Sequence, residues 1–566
     1  MTFNDFPYTR PDLADLQAQL DRILQSLQQA GDAPAFLEIL HEYDDLKSHF
    51  MTLAELAAIR HTLDTRDPFY TAENDWFDAS MPLIEESFQK ILDQVLHSPF
   101  RPDIEQVIPE TWFMAAEMDR KSFSPEIIPL LQKEASLASA YQNLIASAQI
   151  PFDGTLHTLA QLEKPMNDPD PEVRKAASLA YWGWFAQNEP ELQALFSDLV
   201  QIRTDMAHCL GFESFIDLGY LRMHRFDYDR QDVETYRQQI LEDIVPLCQE
   251  LYTAQKQRLH TATLPVWQEK SEFPSGNPAP VCAGSEMTAQ AQRMYRELSE
   301  ETGRFFDDMS ARQLMDLEAR PGKAAGGYCT WLPDHRAPFI FANSNGTQSD
   351  VETLTHEAGH AFQVWSSTPV FPSDLAWPTS ESAEIHSMSM EFFTWPWMES
   401  FFGDEADRYR FAHLSGAVKF LPYGVLVDHF QHEVYAHPKW SADERNACWR
   451  SLEKQYLPHK DYSGIDVLER GGWWMRQLHI FMDPFYYIDY TLAQVAALQF
   501  LARMLDRDSG AFQDYLQICR LGGTLPFRDL MHRAHLQVPF EPGCLKDTAA
   551  TLRQWFAQHM PAVTER

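Results

Sequence analysis

Long stretches of this sequence carry apolar residues at intervals of three and four, the repeat of an amphipathic helix. The segments LADLQAQLDRILQSLQQ and PLIEESFQKILDQVL both show it. One convincing strand signal stands against this pattern, an apolar and aromatic run from Pro338 to Ala342 that is followed by turn-forming residues. The pattern therefore predicts a mainly α-helical protein with a small β-sheet.

Two proline-rich interruptions break the helical pattern. In MNDPDPEVRKAASLAYWGW, Asp170 and Pro171 are a typical N-cap and first-turn pair for a new helix. We expect a boundary here between an N-terminal helical lobe, residues 1–170, and a larger domain, residues 171–566. The segment SEFPSGNPAPVCAG predicts a surface loop between helices rather than a long linker.

The composition of the chain limits its possible partners and its cellular location. The formal charge of -36 argues against a nucleic-acid backbone or an anionic membrane as partner. The seven cysteines are scattered and form no CxxC pair, which is typical of reduced thiols in the cytosol. The first twenty residues lack the apolar core of a secretory signal, and no stretch approaches 18 uninterrupted apolar residues. We expect a cytoplasmic protein; its oligomeric state leaves no mark in the sequence.

The segment TLTHEAGHAFQ carries the strongest chemical signal. His356 and His360 are four residues apart and so stand one above the other on a helix, with Glu357 beside them. Ser349 and Glu352 have the spacing of a capping box for this helix. Two imidazoles on one face can bind one zinc ion, and the competing interpretation is a pair of hydrogen-bonded core histidines. The expected buried stripe is Val351, Leu354, Ala358, Ala361 and Trp365.

A catalytic zinc ion needs three protein ligands and one open position. The near-match DHFQHEVYAH separates His432 from His437 by five residues, which turns the second imidazole off the first one's face and predicts a structural helix. A third ligand is instead expected in PTSESAEIHSMSMEFF, on a helix that follows a break at Pro372 and Pro378. Spacing alone does not choose among its candidates, which are Glu381, Glu384, His386 and Glu391.

Three blocks of sequence, in order, are GKAAGGYCTWLPDHRAPFIFANSNGTQSDVETLTHEAGHAFQ, ESAEIHSMSMEFF and RQLHIFMDPFYYIDYTLAQ. Together they resemble the oligoendopeptidase F branch of the thimet oligopeptidase-like zinc metallopeptidases. Weaker similarity extends from about residue 150 to the C-terminus. The resemblance implies one zinc ion per chain with His356, His360 and Glu384 as ligands, and Glu357 as general base. It also implies two helical lobes that enclose a substrate channel, with residues 171–566 as the catalytic domain.

The block HIFMDPFYYIDY offers hydrogen-bond donors for the substrate. From the residues alone, an aromatic cluster at helical spacing favours core packing. In the family, a histidine and tyrosines in this region donate hydrogen bonds to the reacting carbonyl group. His479, Tyr487 and Tyr490 match best by spacing, with Tyr486 as a further candidate, and which tyrosine donates stays open.

The implied reaction is hydrolysis of internal bonds in short, unstructured peptides. A zinc ion so bound lowers the pKa of water to about 7, and Glu357 can accept its proton. The strand FIFAN leads into the histidine helix, so a free edge on it is expected to pair with an extended peptide. A carboxylate behind a ligand histidine is also usual, and Asp350, Glu381 and Glu391 are the candidates.

Two other functions are compatible with the same motif. A metallocarboxypeptidase or dipeptidyl carboxypeptidase on the same fold is distinguished by its need for a free substrate C-terminus. A non-catalytic peptide-binding protein is disfavoured because Glu357 is intact.

Overall fold

The structure is a computed structural model that describes residues 1–564, with side chains described as far as residue 560. Two compact units make up the chain, and each consists of three stretches of sequence. The first unit comprises Met1–Pro125, Ala279–Ala406 and Gln499–Leu536, and the second comprises Glu126–Pro278, Asp407–Leu498 and Gln537–Arg566. The lobe boundary expected between residues 170 and 171 stays a prediction.

Helices account for most of the described residues, as the apolar periodicity predicts. The N-terminal stretch forms α1 (Leu13–Gln29), α2 (Ala33–Leu63), α3 (Pro68–Leu96), α4 (Arg101–Ile104) and α5 (Glu110–Ser122). Next come α6 (Ile128–Ala146), β1 (Ile150–Phe152), β2 (Thr155–His157), α7 (Leu159–Glu163), α8 (Pro171–Cys209), α9 (Phe215–Arg222), α10 (Arg230–Gln239) and α11 (Val245–Arg258). The third stretch holds α12 (Gly284–Leu298), α13 (Glu300–Ala311), β3 (Met315–Glu318), β4 (Tyr328–Leu332), β5 (Ala337–Ser344), α14 (Ser349–Ser367), α15 (Ser380–Phe393) and α16 (Glu399–Phe402). The remainder forms α17 (Ala406–Ala436), α18 (Ala442–Tyr456), α19 (Asp466–Glu469), α20 (Leu478–Met482), α21 (Tyr487–Leu505), α22 (Ala511–Leu521), α23 (Phe527–Arg533) and α24 (Cys544–Thr564).

Aspartate side chains begin several of these helices. Asp170 accepts a hydrogen bond from the backbone N–H of Glu172, and Pro171 occupies the first turn of α8. Asp12 caps α1 in the same way. Because the first N–H groups of a helix have no partner within the helix, such a cap stabilises it by about 1 kcal/mol. The pair predicted at Asp170 and Pro171 is confirmed.

The apolar stripe of α1 packs into the core of the first unit. Its buried residues recur at helical spacing and are Leu16, Leu20, Ile23 and Leu27. They belong to one cluster with buried side chains of α2, α3 and α5. Burial of each such side chain contributes about 1.5–3 kcal/mol, which explains why the sequence periodicity predicts this helix well.

The first unit also contains a three-stranded sheet in the order β3, β5, β4. β5 confirms the strand predicted at Pro338 to Ala342, and it pairs in parallel with β3 and antiparallel with β4. The expectation of a free edge on FIFAN is therefore wrong, because β5 lies in the centre of the sheet. Its unbroken run of buried residues is typical of a strand covered on both faces.

Free edges do exist, on β3 and β4, which are the two outer strands of the sheet. Ile340 donates its backbone N–H to Leu314 on the β3 side of β5. Backbone groups alternate sides along a strand, so Cys329, which lies opposite Ile340, directs its N–H and C=O away from β5. Trp331, two residues further on, does the same. No strand of the described residues pairs with this edge.

The connection from β5 to α14 differs from the predicted capping box. Gln348 already has helical backbone angles, so Ser349 lies inside the first turn and its side chain does not cap the helix. Asp350 instead accepts hydrogen bonds from the N–H groups of Asn345 and Gly346, at 2.9 and 2.8 Å. Of the five residues expected in the buried stripe of α14, Trp365 is only half-buried and the others are buried, namely Val351, Leu354, Ala358 and Ala361.

The second unit includes the near-match to the zinc motif, on α17. His432 is buried, and its Nδ1 lies 3.0 Å from the carbonyl oxygen of Asp428. His437 is exposed and stacks on Trp440. The two imidazoles do not share a face, in agreement with their spacing of five. None of the described helices is both long enough and apolar enough to span a bilayer.

Candidate active site

Gly359 lies where α14 meets α15. A Cβ at this position would come within 2.6 Å of the Cα of Ser387 and 2.7 Å of the carbonyl oxygen of His386. Only glycine allows so close an approach of the two helices. The approach brings Glu384, on α15, beside His356 and His360 on α14.

These three side chains have the spacing of ligands to one metal ion. Oε2 of Glu384 lies 3.3 Å from Nε2 of His356 and 3.4 Å from Nε2 of His360. A charge-assisted hydrogen bond would be shorter, at about 2.7–2.9 Å. Ligand atoms at about 2.0–2.1 Å from a tetrahedral zinc ion lie about 3.3–3.4 Å apart. Among the described residues, this is the one group of three such side chains that could hold a metal ion.

A second carboxylate orients the first histidine. Oε1 of Glu391 lies 2.8 Å from Nδ1 of His356, so Nδ1 donates a hydrogen and Nε2 keeps its lone pair for a metal ion. Burial disfavours the charged form of His356, but Glu384 and Glu391 outweigh it and raise the pKa of this imidazole well above its usual value. Burial likewise opposes ionisation of Glu384, but His360 and His356 hold its pKa well below the usual range. The pocket thus attracts a cation, either a proton or a metal ion that displaces it.

Glu357 is buried beside this group, and burial raises the pKa of its carboxyl. Gly327, which directly precedes β4, lies close to Glu357. A Cβ at Gly327 would lie 3.7 Å from Oε1 of Glu357, so β4 begins next to this carboxylate. Glu357 therefore lies close to the N-terminal end of β4.

The other acidic and histidine candidates have different partners. Glu381 is buried and accepts a hydrogen bond from Thr379. Nδ1 of His386 lies 3.5 Å from Sγ of Cys519, and burial lowers the pKa of this histidine to about 3. Asp350 binds the backbone before α14. Of the three carboxylates expected behind a ligand histidine, Glu391 is therefore the one that contacts His356.

The sequence alone does not indicate the ring that packs on the second histidine. Trp377 stacks on His360, with ring centroids 5.8 Å apart and an angle of 25° between the planes. It lies in the loop before α15, and no periodic pattern marks it. The same residue lines a cavity together with Cys329, Thr330 and Trp331 of β4.

The second unit gathers the predicted hydrogen-bond donors into one aromatic cluster. The ring centroid of His479 lies 4.9 Å from that of Tyr487 and 5.7 Å from that of Tyr490. Tyr486 stacks on His479 at 5.7 Å. Burial raises the pKa of Tyr487 well above its usual value, so its hydroxyl stays protonated and able to donate.

A hydrogen-bond chain sets the tautomer of His479. The hydroxyl of Tyr423 donates to Oε1 of Gln477 at 2.6 Å, and Nε2 of Gln477 lies 2.9 Å from Nδ1 of His479. An amide nitrogen can only donate, so Nδ1 accepts and the ring hydrogen resides on Nε2. Sequence reasoning missed Gln477, although its place two residues before His479 is a signal that could have found it.

Two family models and one curated protein match parts of this chain. The model for the peptidase M3 N-terminal domain matches residues 3–123, and that for peptidase family M3 matches residues 295–549. A curated oligoendopeptidase F, chromosomal, from Lactococcus lactis subsp. cremoris is 23% identical over 259 residues, which span 42% of this chain and 39% of that protein.

Solved structures match over nearly the full length. An X-ray structure with the provisional assignment oligoendopeptidase F is 48% identical, with a TM-score of 0.95, and the match covers 98% of this chain and 99% of that one. A structure of PZ peptidase A with an inhibitor is 44% identical, with a TM-score of 0.95 and the same coverage of 98% and 99%.

Proposed function

Because the chain belongs to peptidase family M3, within its oligoendopeptidase F branch, we propose that it is a zinc-dependent endopeptidase. Its substrates are short, unstructured peptides, which it cleaves at internal bonds. The observation that carries this proposal is the spacing of 3.3 and 3.4 Å between Glu384 and the two histidines His356 and His360. The cytoplasmic location stays a prediction.

The ligand set favours a catalytic rather than a structural zinc ion. Structural sites usually close with four protein ligands, often cysteine, whereas two imidazoles and one carboxylate leave a position open. When bound, the zinc ion supplies Lewis-acid activation of water and of the peptide carbonyl group. Glu391 keeps His356 in the tautomer that can coordinate the metal.

Glu357 is the proton carrier in this proposal. Its carboxylate accepts a proton from the attacking water and passes it to the amine that leaves. Its place beside the ligand histidines and next to Gly327 puts it within reach of a peptide aligned on β4. The thiol of Cys329 is a poor alternative nucleophile, because burial and the charge of Glu357 raise its pKa well above the usual value.

The free edge of β4 is the proposed alignment surface for the substrate. The outward backbone groups of Cys329 and Trp331 can pair with an extended peptide, and such pairing tolerates varied side chains. This replaces the expectation that β5 supplies the edge. We further propose that His479, Tyr487 and Tyr490 donate hydrogen bonds to the substrate carbonyl, since Gln477 leaves a hydrogen on Nε2 of His479.

The test is a ten-residue peptide, acetylated at its N-terminus and amidated at its C-terminus, incubated with the purified protein and analysed by mass spectrometry. We expect internal cleavage that a zinc chelator abolishes and added zinc restores. Trimming that requires a free C-terminus would instead indicate a carboxypeptidase. Binding of the peptide without cleavage would indicate a peptide-binding protein.

A further inference from the structure

A cavity of about 250 Å³ lies in the first unit at the outer edge of β4. Its walls come from α2, from β4 and from the loop before α15. Its lining includes the side chains of Lys47, Glu55, Thr330, Asp374 and Trp377. Trp377 also stacks on His360, so one indole ring contacts both the cavity and a candidate metal ligand.

The cavity contains a carboxylate without a cation. Glu55 accepts a hydrogen bond of 2.7 Å from the hydroxyl of Thr330, and no cationic side chain of the described residues forms an ion pair with it. Lys47, on the same helix, is engaged by Asp374 at 2.7 Å. These groups together carry two negative charges and one positive charge, so the cavity is net negative.

Burial raises the pKa of Glu55. The hydrogen bond from Thr330 acts in the opposite direction but is the smaller effect. A half-buried carboxylate of this kind is stabilised by a cation that enters from solution. The chain as a whole is strongly acidic, but most acidic side chains face water. Glu55 differs because it faces a cavity beside the proposed peptide edge.

Strand geometry connects this cavity to a peptide on β4. Thr330 directs its side chain toward Glu55 on α2, whereas Cys329 is close enough to Glu357 for that charge to act on its thiol. A peptide paired along the same edge also alternates its side chains between two faces. Every second side chain of the peptide therefore faces α2 and the cavity.

The direction of the peptide follows from pairing preference. Antiparallel pairing is the more stable arrangement per residue. β4 begins near Glu357, the proposed general base, and runs away from it toward Trp331. An antiparallel peptide therefore lays the residues that precede its scissile bond along β4 and past the cavity.

Building on the proposed function, we propose that this cavity is a specificity subsite for a basic side chain, lysine or arginine, that precedes the scissile bond. The partner of that side chain is the carboxylate of Glu55. The hydroxyl of Thr330 orients this carboxylate, and the pair formed by Lys47 and Asp374 also lines the cavity.

The test uses doubly blocked ten-residue peptides in which one position before the cleaved bond carries lysine, norleucine or glutamate, with that position moved along the peptide. At one position we expect kcat/KM for the lysine peptide to exceed that for the norleucine peptide about 10-fold or more. Glu55→Gln should abolish this preference, and Glu55→Lys should turn it into a preference for glutamate. Glu38→Gln, an exposed residue of the same helix, is the matched control and should retain the preference for lysine.

The outcomes separate this inference from the proposed function. If the wild-type protein cleaves no peptide, the proposed function fails. If it cleaves all of them but prefers lysine at no position, or if Glu55→Gln keeps the preference, only the subsite fails. Should the Glu55 variants not fold, peptide affinity is measured on Glu357→Gln with Glu55 intact, and equal affinity for the lysine and norleucine peptides overturns the subsite.

Discussion

Nδ1 of His356 lies 2.8 Å from Oε1 of Glu391, on the side of the ring opposite the nitrogen that faces Glu384. The two carboxylates therefore act on one imidazole from two directions. Glu391 sets the tautomer of His356. Glu384 lies beside Nε2 of His356, where both could coordinate the same metal ion. Both carboxylates come from α15, so one helix supplies a proposed ligand and the residue that orients another.

Removal of Glu391 should weaken metal binding without removing a ligand. Because His356 loses the acceptor for its Nδ1 hydrogen, we expect Glu391→Ala to reduce zinc affinity by about 10–100-fold. Competition with a chromophoric chelator measures the affinity. Glu300→Gln, an exposed residue at the start of α13, is the control and should bind zinc as the wild type does. Unchanged affinity in Glu391→Ala would show that the hydrogen bond does not orient the ligand.

Replacement of Glu357 should separate metal binding from turnover. Gln has nearly the same shape as Glu but cannot accept the proton, so Glu357→Gln should retain zinc and lose about two to four orders of magnitude in kcat. Metal content by elemental analysis and cleavage of the blocked peptide are measured on the same sample. A variant that keeps its turnover would exclude Glu357 as the general base.

The glycine at the helix contact should be intolerant of even one methyl group. In Gly359→Ala the added Cβ meets the backbone of Ser387 and His386, which cannot move without shifting α15. We expect a loss of about 1–3 kcal/mol in the free energy of unfolding, together with weaker zinc binding. Denaturant titration and chelator competition measure the two effects.

Gly416 on α17 is the matched control for this substitution, since a Cβ added there meets no heavy atom within 4 Å beyond its chain neighbours and its own helix backbone. Gly416→Ala should leave zinc binding unchanged and stabilise the protein by up to about 1 kcal/mol. Equal effects at both positions would mean that the approach of α14 and α15 is not what holds Glu384 in place.

The tautomer of His479 should depend on Gln477. Because the amide of Gln477 donates to Nδ1, the wild-type ring carries its hydrogen on Nε2. In Gln477→Leu we expect a mixture of tautomers, visible in the ¹⁵N chemical shifts of the ring, and a fall in kcat of about 10-fold with little change in KM. Tyr423→Phe removes only the hydroxyl that donates to Gln477 and should cause part of the same change. A hydrogen on Nδ1 of His479 in the wild type would contradict the proposed hydrogen bond from Gln477.

Local patterns in the sequence determined the elements that depend on near neighbours. The repeat of three and four predicts α1 because its stripe is buried, and the spacing of four places His356 and His360 on one face of α14. The cap at Asp170 was predictable for the same reason. The capping box predicted at Ser349 is wrong. The carboxylate of Asp350 instead accepts hydrogen bonds from the backbone N–H groups of Asn345 and Gly346 in the preceding turn.

Tertiary structure decided the features that depend on which helices and strands pack against each other. Spacing could not choose among Glu381, Glu384, His386 and Glu391, and the crossing of α14 and α15 at Gly359 brings Glu384 to the two histidines. Strand β5 was predictable, but its central position required pairing with both neighbours. Glu55 meets Thr330 across 275 residues of sequence, a separation at which periodicity carries no information. Periodicity states which residues share a face, and long-range packing states what that face touches.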